Sequence, residues 1–215
     1  VKTKDIVVKA NSPDWWGEIE PVSIPLDEDR YVLAVEIKEV SNATVHNGGR
    51  DTVGGLFVWH HLIYRTQVGL DQDVNTADLD LATGENVVSW PVHEVGRNPD
   101  YFDPKAARLL KKGSFIVSDS LHTHSSGKDV TSHLEFGYKF APKGYKPEYK
   151  RATYSLGNGV DIDITGMEKG VQLHAYAVLN EPTKIISFEP HLHAPGTRMC
   201  LEAIWGYNIQ TLSCV

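Results

Sequence analysis

Apolar and polar positions alternate with a period of two along much of the chain. In "RYVLAVEIKEV" Tyr31, Leu33, Val35 and Ile37 fall on one face, and in "SHLEFGYKFAP" Leu134, Phe136, Tyr138 and Phe140 do the same. Successive side chains of an extended chain point to opposite faces, so each row predicts a half-buried strand. Similar apolar runs occupy 55–64, 114–121, 171–179 and 184–188. The pattern predicts one helix, "DPKAARLLKK" at 103–112: Asp103 can cap it, Pro104 suits its first position and Gly113 its stop. Short strands separated by Gly, Pro and Asn clusters predict an all-β fold of two β-sandwich, jelly-roll-like domains. The Pro-, Gly- and charge-rich stretch "APKGYKPEYKR" at 141–151 suggests a break, giving expected domains 1–148 and 149–215. The second is expected to be incomplete, because the chain stops at "TLSCV" inside a predicted strand. Residues 81–102 show no clean period and are expected to form an irregular loop over the first sandwich.

Composition narrows the classes of function. At 41% hydrophobic and 23% charged, the chain of 215 residues has a globular composition and excludes disorder. No apolar run approaches the roughly 20 residues of a membrane span. The net charge of −7 comes from scattered acidic residues and offers no basic stripe for phosphates, so nucleic acid is not an expected partner. The two cysteines, Cys200 and Cys214, either pair, which implies an oxidising compartment, or are free buried thiols.

Ten histidines are the unusual feature, since imidazole is the commonest metal ligand. They cluster as His60-His61, His122-Thr123-His124 and His191-Leu192-His193. Residues i and i+2 of a strand share a face, so His191 and His193 can converge on one point. Adjacent residues diverge, so His60 and His61 can reach one ion only at a bulge or a strand end; the nearby Gly54-Gly55 pair makes such an irregularity plausible. His124 precedes a turn-like "SSGK", so only one of His122 and His124 is expected to face the site. Imidazoles without nearby carboxylates suit copper, zinc or iron. There is no HExxH, P-loop, GxGxxG or GxSxG, and no spacing favours a Ser/His/Asp triad. The bland readings are that His133 is solvent-exposed beside Glu135 and that Met199 packs in a row with Leu201, Ala203 and Trp205, while His93 is either structural or approaches a site. Trp15, Trp16, Trp59, Trp90 and Trp205 read as core or interface anchors.

The ordered series "VWHH", "SLHTHSSGKDVTSHLEFGYKFAPKG" and "IISFEPHLHAPGTRMCLEAIWGYN" resembles bacterial relatives of the copper type II, ascorbate-dependent monooxygenases, the family of peptidylglycine α-hydroxylating and dopamine β-monooxygenases. The likeness spans residues 30–65 and 114–215. It implies two β-sandwich domains with one copper each. The first copper would take a His-His pair and a later histidine, here His60, His61 and His122; His46 competes for a place in it. The second would take His191 and His193 with a distant methionine, for which the chain offers no match, so that site is expected to be incomplete. The resemblance thus implies an exported, periplasmic or extracellular monooxygenase that hydroxylates an organic substrate with O2 and a reductant. The alternative is a non-catalytic copper-binding or structural subunit of a larger redox or membrane assembly.

Overall fold

The fold is known from a computed structural model that describes residues 1–43, 57–71, 84, 86–97, 99–157, 164–192 and 196–215. The chain divides into two compact units, Val1–Tyr176 and Ala177–Val215.

The first unit is a β-sandwich of two antiparallel sheets. One is centred on the long strands β4 (Arg30–Ser41) and β11 (Val130–Phe140). The short β1 (Ile6–Val8) pairs with the far edge of β11, while β8 (Asp100–Tyr101) and β9 (Arg108–Leu110) pair with β4. The other sheet is centred on β5 (Trp59–Val68) and β10 (Ser114–Thr123). On its edges β2 (Trp15–Gly17) and β3 (Val22–Ser23) pair with β10, and β6 (Val87–Ser89) and β7 (His93–Glu94) pair with β5.

The inner rows of these strands build the core. Trp59 and Leu62 of β5, Ile116 and Leu121 of β10 and Leu134 of β11 are all fully buried, and each such aliphatic side chain contributes about 1.5–3 kcal/mol by leaving water. Tyr64 of β5 meets Phe136 of β11 edge to face with ring centroids 5.2 Å apart, joining the two sheets.

Several expectations are corrected. The row Leu134, Phe136, Tyr138 and Phe140 does line the inner face of β11, but in β4 the alternation changes phase. Lys139 lies opposite Ala34 and Phe140 opposite Val32, so Leu33 is an extra residue; Val32 and Val35 are buried and Leu33 only half-buried. No helix forms at 103–112. Asp103 does cap, accepting from the Lys105 N–H through Oδ1 (2.9 Å) and from the Ala106 N–H through its carbonyl (2.8 Å). That single turn then opens into β9, where Leu109 lies opposite Tyr31 and Leu110 opposite Arg30. Pairing with an open sheet edge, and full burial of Leu110, override the local helix propensity. Gly113, at φ 77°, serves the turn between β9 and β10 instead of a helix stop. Residues 81–102 contain three short edge strands, β6, β7 and β8, and the runs 171–179 and 184–188 form no ladder, since an alternating pattern becomes a strand only where an edge is available to pair.

The stretch 141–151 is tied to the first unit. Glu148 and Tyr149 N–H groups donate to the Lys105 carbonyl (2.8 and 3.0 Å), and Arg151 Nε donates to the Ala106 carbonyl (3.0 Å).

The second unit contains an antiparallel hairpin of β12 (Cys200–Trp205) and β13 (Asn208–Cys214), with Gly206 at φ 56° in its turn. Cys200 and Cys214 face each other in the register and form a disulfide, their Cα atoms 4.1 Å apart. Met199, Leu201 and Ala203 are half-buried, while Trp205 is exposed. Among the described residues no helix is long and apolar enough to cross a membrane.

Candidate metal centre

One irregularity in the β5–β10 ladder, between His122 and Thr123, decides where the histidines go. Leu121 lies opposite Leu62 and His122 opposite His61, but the next partner of β10, Thr123, lies opposite Trp59. His60 is therefore an extra residue in β5, the signature of a bulge. Trp59 and Leu62 on either side of it both point into the core. His60 and His61 are left together on the outer face, which a regular strand would not allow. On β10 the same logic runs without a bulge: Leu121 and Thr123 are buried inward, so His122 and His124 share the outer face. The His124 N–H donates to the Val58 carbonyl (3.0 Å), carrying the ladder one residue past β10.

The inner side of the bulge is held by a half-buried carboxylate. Glu39 of β4 reaches across the sandwich and accepts the backbone N–H groups of Val58 (3.0 Å) and Trp59 (3.2 Å). It also accepts the Ser132 hydroxyl (2.8 Å), which in turn accepts the Trp59 indole N–H (3.1 Å). Burial pushes the Glu39 carboxyl above the ordinary range, and these three hydrogen bonds oppose the shift. The two residues before His60 are thereby fixed from both backbone and side chain.

Four imidazoles meet as a result. His60, His122 and His124 each offer a ring nitrogen, and these atoms all lie within 4.8 Å of one another. The Nε2 atoms of His122 and His124 are 3.1 Å apart, and the Nδ1 atoms of His60 and His61 are 3.3 Å apart. Two nitrogens bound tetrahedrally at about 2.0–2.1 Å from one ion stand about 3.3 Å apart, so both spacings suit a shared ion. A proton shared between neutral imidazoles spans the same gap, and metal binding would displace it. His61 is buried, with its ring 5.1 Å from that of His122.

The surroundings complete the arrangement. Trp16 of β2 lies directly opposite His122 in the register and stacks on it, ring centroids 3.8 Å apart and planes 13° from parallel; its edge approaches His61 at 5.1 Å. Asp14 places Oδ2 3.3 Å from His124 Nε2 and 3.6 Å from His122 Nε2. Burial lowers the pKa of His122, and charge on His124 and His60 would lower it further, with Asp14 opposing. A neutral imidazole is the form that ligates. His122 Nδ1 is itself buried with no hydrogen-bond partner. Several imidazoles and a neighbouring carboxylate form a donor set that fits a divalent first-row metal or copper.

Other sequence candidates lie elsewhere. His191 is half-buried in irregular chain of the second unit, whereas His193 and His46 lie outside the described residues. His93 is buried on β7, opposite Leu62, and burial together with the Arg97 charge pushes its pKa down to about 4. His133 is half-buried, not exposed, because Asp5 binds its Nδ1 at 2.8 Å. Trp16, Asp14 and His124 were missed as site residues. The i, i+2 spacing of His122 and His124 was the available signal for the last; no local signal connects Asp14 and Trp16 to a site on β10.

The fold and the cluster define an all-β protein with a surface histidine centre able to hold a metal ion. Comparison with protein-family models, with curated proteins and with solved structures finds no match to any of them.

Proposed function

We propose that the protein is an exported, periplasmic or extracellular copper protein of the monooxygenase type. In this reading His60, His61, His122 and His124 hold one copper, and an organic substrate is hydroxylated with O2 and a reductant. The observation that carries it is the bulge at His60, which leaves His60 beside His61 and lets a ring nitrogen of His60 group with those of His122 and His124. The resemblance of "VWHH" and "SLHTHSSGK" to the copper type II monooxygenases implies His60, His61 and His122, of which His60 and His122 belong to this group; His124 is additional. The disulfide supports export, because such bonds persist in oxidising compartments.

Copper, when bound, would supply one-electron redox chemistry. The chain's own residues prepare for it. Burial lowers the pKa of His122, which favours the neutral form that ligates. Trp16 shields the His122 face from water, while exposed His60 and partly exposed His124 leave the opposite approach open to a small reductant. Glu39, Ser132 and Trp59 keep the bulge from relaxing into regular alternation, which would turn His60 away from His61. His191 and His193 would contribute to a second copper site, which lacks the methionine ligand that the resemblance implies.

The test is metal analysis of the purified chain followed by reductant-dependent O2 consumption. The reading expects at least one copper per chain, lost in His60→Ala/His122→Ala, and O2 uptake that needs both copper and reductant. Copper no higher than trace after reconstitution would overturn it. A second reading, a non-catalytic copper-binding module, is favoured by one observation: every donor of the histidine cluster comes from the Val1–Tyr176 unit. Tight copper binding with no O2 uptake by the full chain would select it.

A further inference from the structure

The strand β2 does more than cover an edge. Its register sets Trp16 opposite His122 and Trp15 opposite Thr123, so the next residue outward, Asp14, falls level with His124. Asp14 and Trp16 are two apart and share a face, which is the outer face carrying the histidines. Trp16 is held there by its stack on His122. The Asp14 carboxylate is thus delivered to the cluster by strand pairing, and one of its oxygens, Oδ2, faces both His124 Nε2 and His122 Nε2 at 3.3 and 3.6 Å.

We infer that Asp14 is a carboxylate ligand of the histidine centre, making it a mixed imidazole–carboxylate site that prefers the divalent to the monovalent state of copper. The inference rests on the copper reading above and deepens it. Its chemistry is that of ligand hardness. A carboxylate oxygen is a hard, anionic donor that stabilises a dication more than a soft monocation, whereas imidazole serves both. Oδ2 lies within 0.3 Å of equidistant from the two Nε2 atoms, so an ion bridging those nitrogens meets the oxygen with only a small side-chain rotation. The same carboxylate offsets the charge that the ion brings to His122, whose ring is buried. An all-imidazole centre would have no such preference.

The experiment compares the wild-type chain with Asp14→Asn, a near-isosteric change at an exposed position, by competition against chelators for Cu(II) and, anaerobically, for Cu(I). Asp14→Asn is expected to weaken Cu(II) binding about 10–100-fold and to change Cu(I) binding less than about threefold. Each tenfold difference between the two raises the reduction potential by about 59 mV. Asp14→Glu, which keeps the charge, should recover most of the Cu(II) affinity. Unchanged Cu(II) affinity in Asp14→Asn, or equal loss for both ions, overturns the inference while leaving the copper reading standing. A wild-type chain that binds neither ion removes both. Circular dichroism of the copper-free variants checks that the fold is retained.

Discussion

The two faces of β5 at its bulge are organised by the same extra residue and have opposite characters. On the inner face Trp59 is fully buried, its indole N–H reaches Ser132, and Glu39 satisfies two backbone donors and the serine at once. On the outer face, one strand thickness away, His122 keeps a buried ring nitrogen without a partner and the imidazoles meet nitrogen to nitrogen. The difference teaches where stability and function are divided. At the bulge the inner groups Glu39, Ser132 and the Trp59 indole satisfy one another and fix the backbone, whereas the outer imidazoles are gathered with ligating capacity. Changes on the inner face should therefore cost stability, and changes on the outer face should cost metal.

The largest expected effect is on the inner face. Trp59→Ala removes a fully buried ring together with its hydrogen bond and should destabilise the chain by about 3–5 kcal/mol, read as a shift in the urea midpoint. Trp59→Phe should lose much less. Equal losses in the two variants would mean that ring packing at this site is not what holds the bulge.

A second prediction contrasts an inner histidine with the outer ones. His93 is buried and its pKa falls to about 4 from an ordinary 6.5. The unfolded chain binds this proton more readily than the folded one, so stability rises with pH between those values. The contribution is complete above about pH 6.5 and disappears as pH falls towards 4, amounting to about 3 kcal/mol. Denaturation midpoints measured across that window should steepen with pH in the wild type and flatten in His93→Gln. A wild-type profile no steeper than that of the variant would contradict it.

The smallest expected effect on stability sharpens the division most. His60 is exposed, so His60→Ala should change stability by no more than about 0.5 kcal/mol, while metal affinity falls. Thermal melts with and without added metal read both quantities. A copper-free His60→Ala chain destabilised by several kcal/mol would show that the outer face carries the fold as well.

Much of this was legible in the chain and some could not be. The period-two rows of β4 and β11, and the apolar runs around β5 and β10, announced the long strands, because burial on one face imposes alternation. That His60 and His61 could share a face only at a bulge or a strand end followed from strand geometry alone, and β5 has the bulge. Its cause did not follow: Gly54-Gly55 lie outside the described residues, and the visible hold on the bulge is Glu39, on a strand of the other sheet. Leu109-Leu110 read as helix because helix and edge strand compete on local terms, and the open edge of β4 settles the competition. Asp14 and Trp16 carry no local signal, since only the pairing of β2 with β10 brings them to His122 and His124.

The central claim is that the bulge focuses imidazoles from β5 and β10 onto one ion. Anomalous diffraction at the copper edge from crystals of the copper-loaded chain tests it most directly. The account predicts one peak on the outer face of the β5–β10 sheet, about 2.0–2.1 Å from ring nitrogens of His60, His122 and His124. Copper bound in the crystal with no peak within bonding distance of those three rings would contradict it.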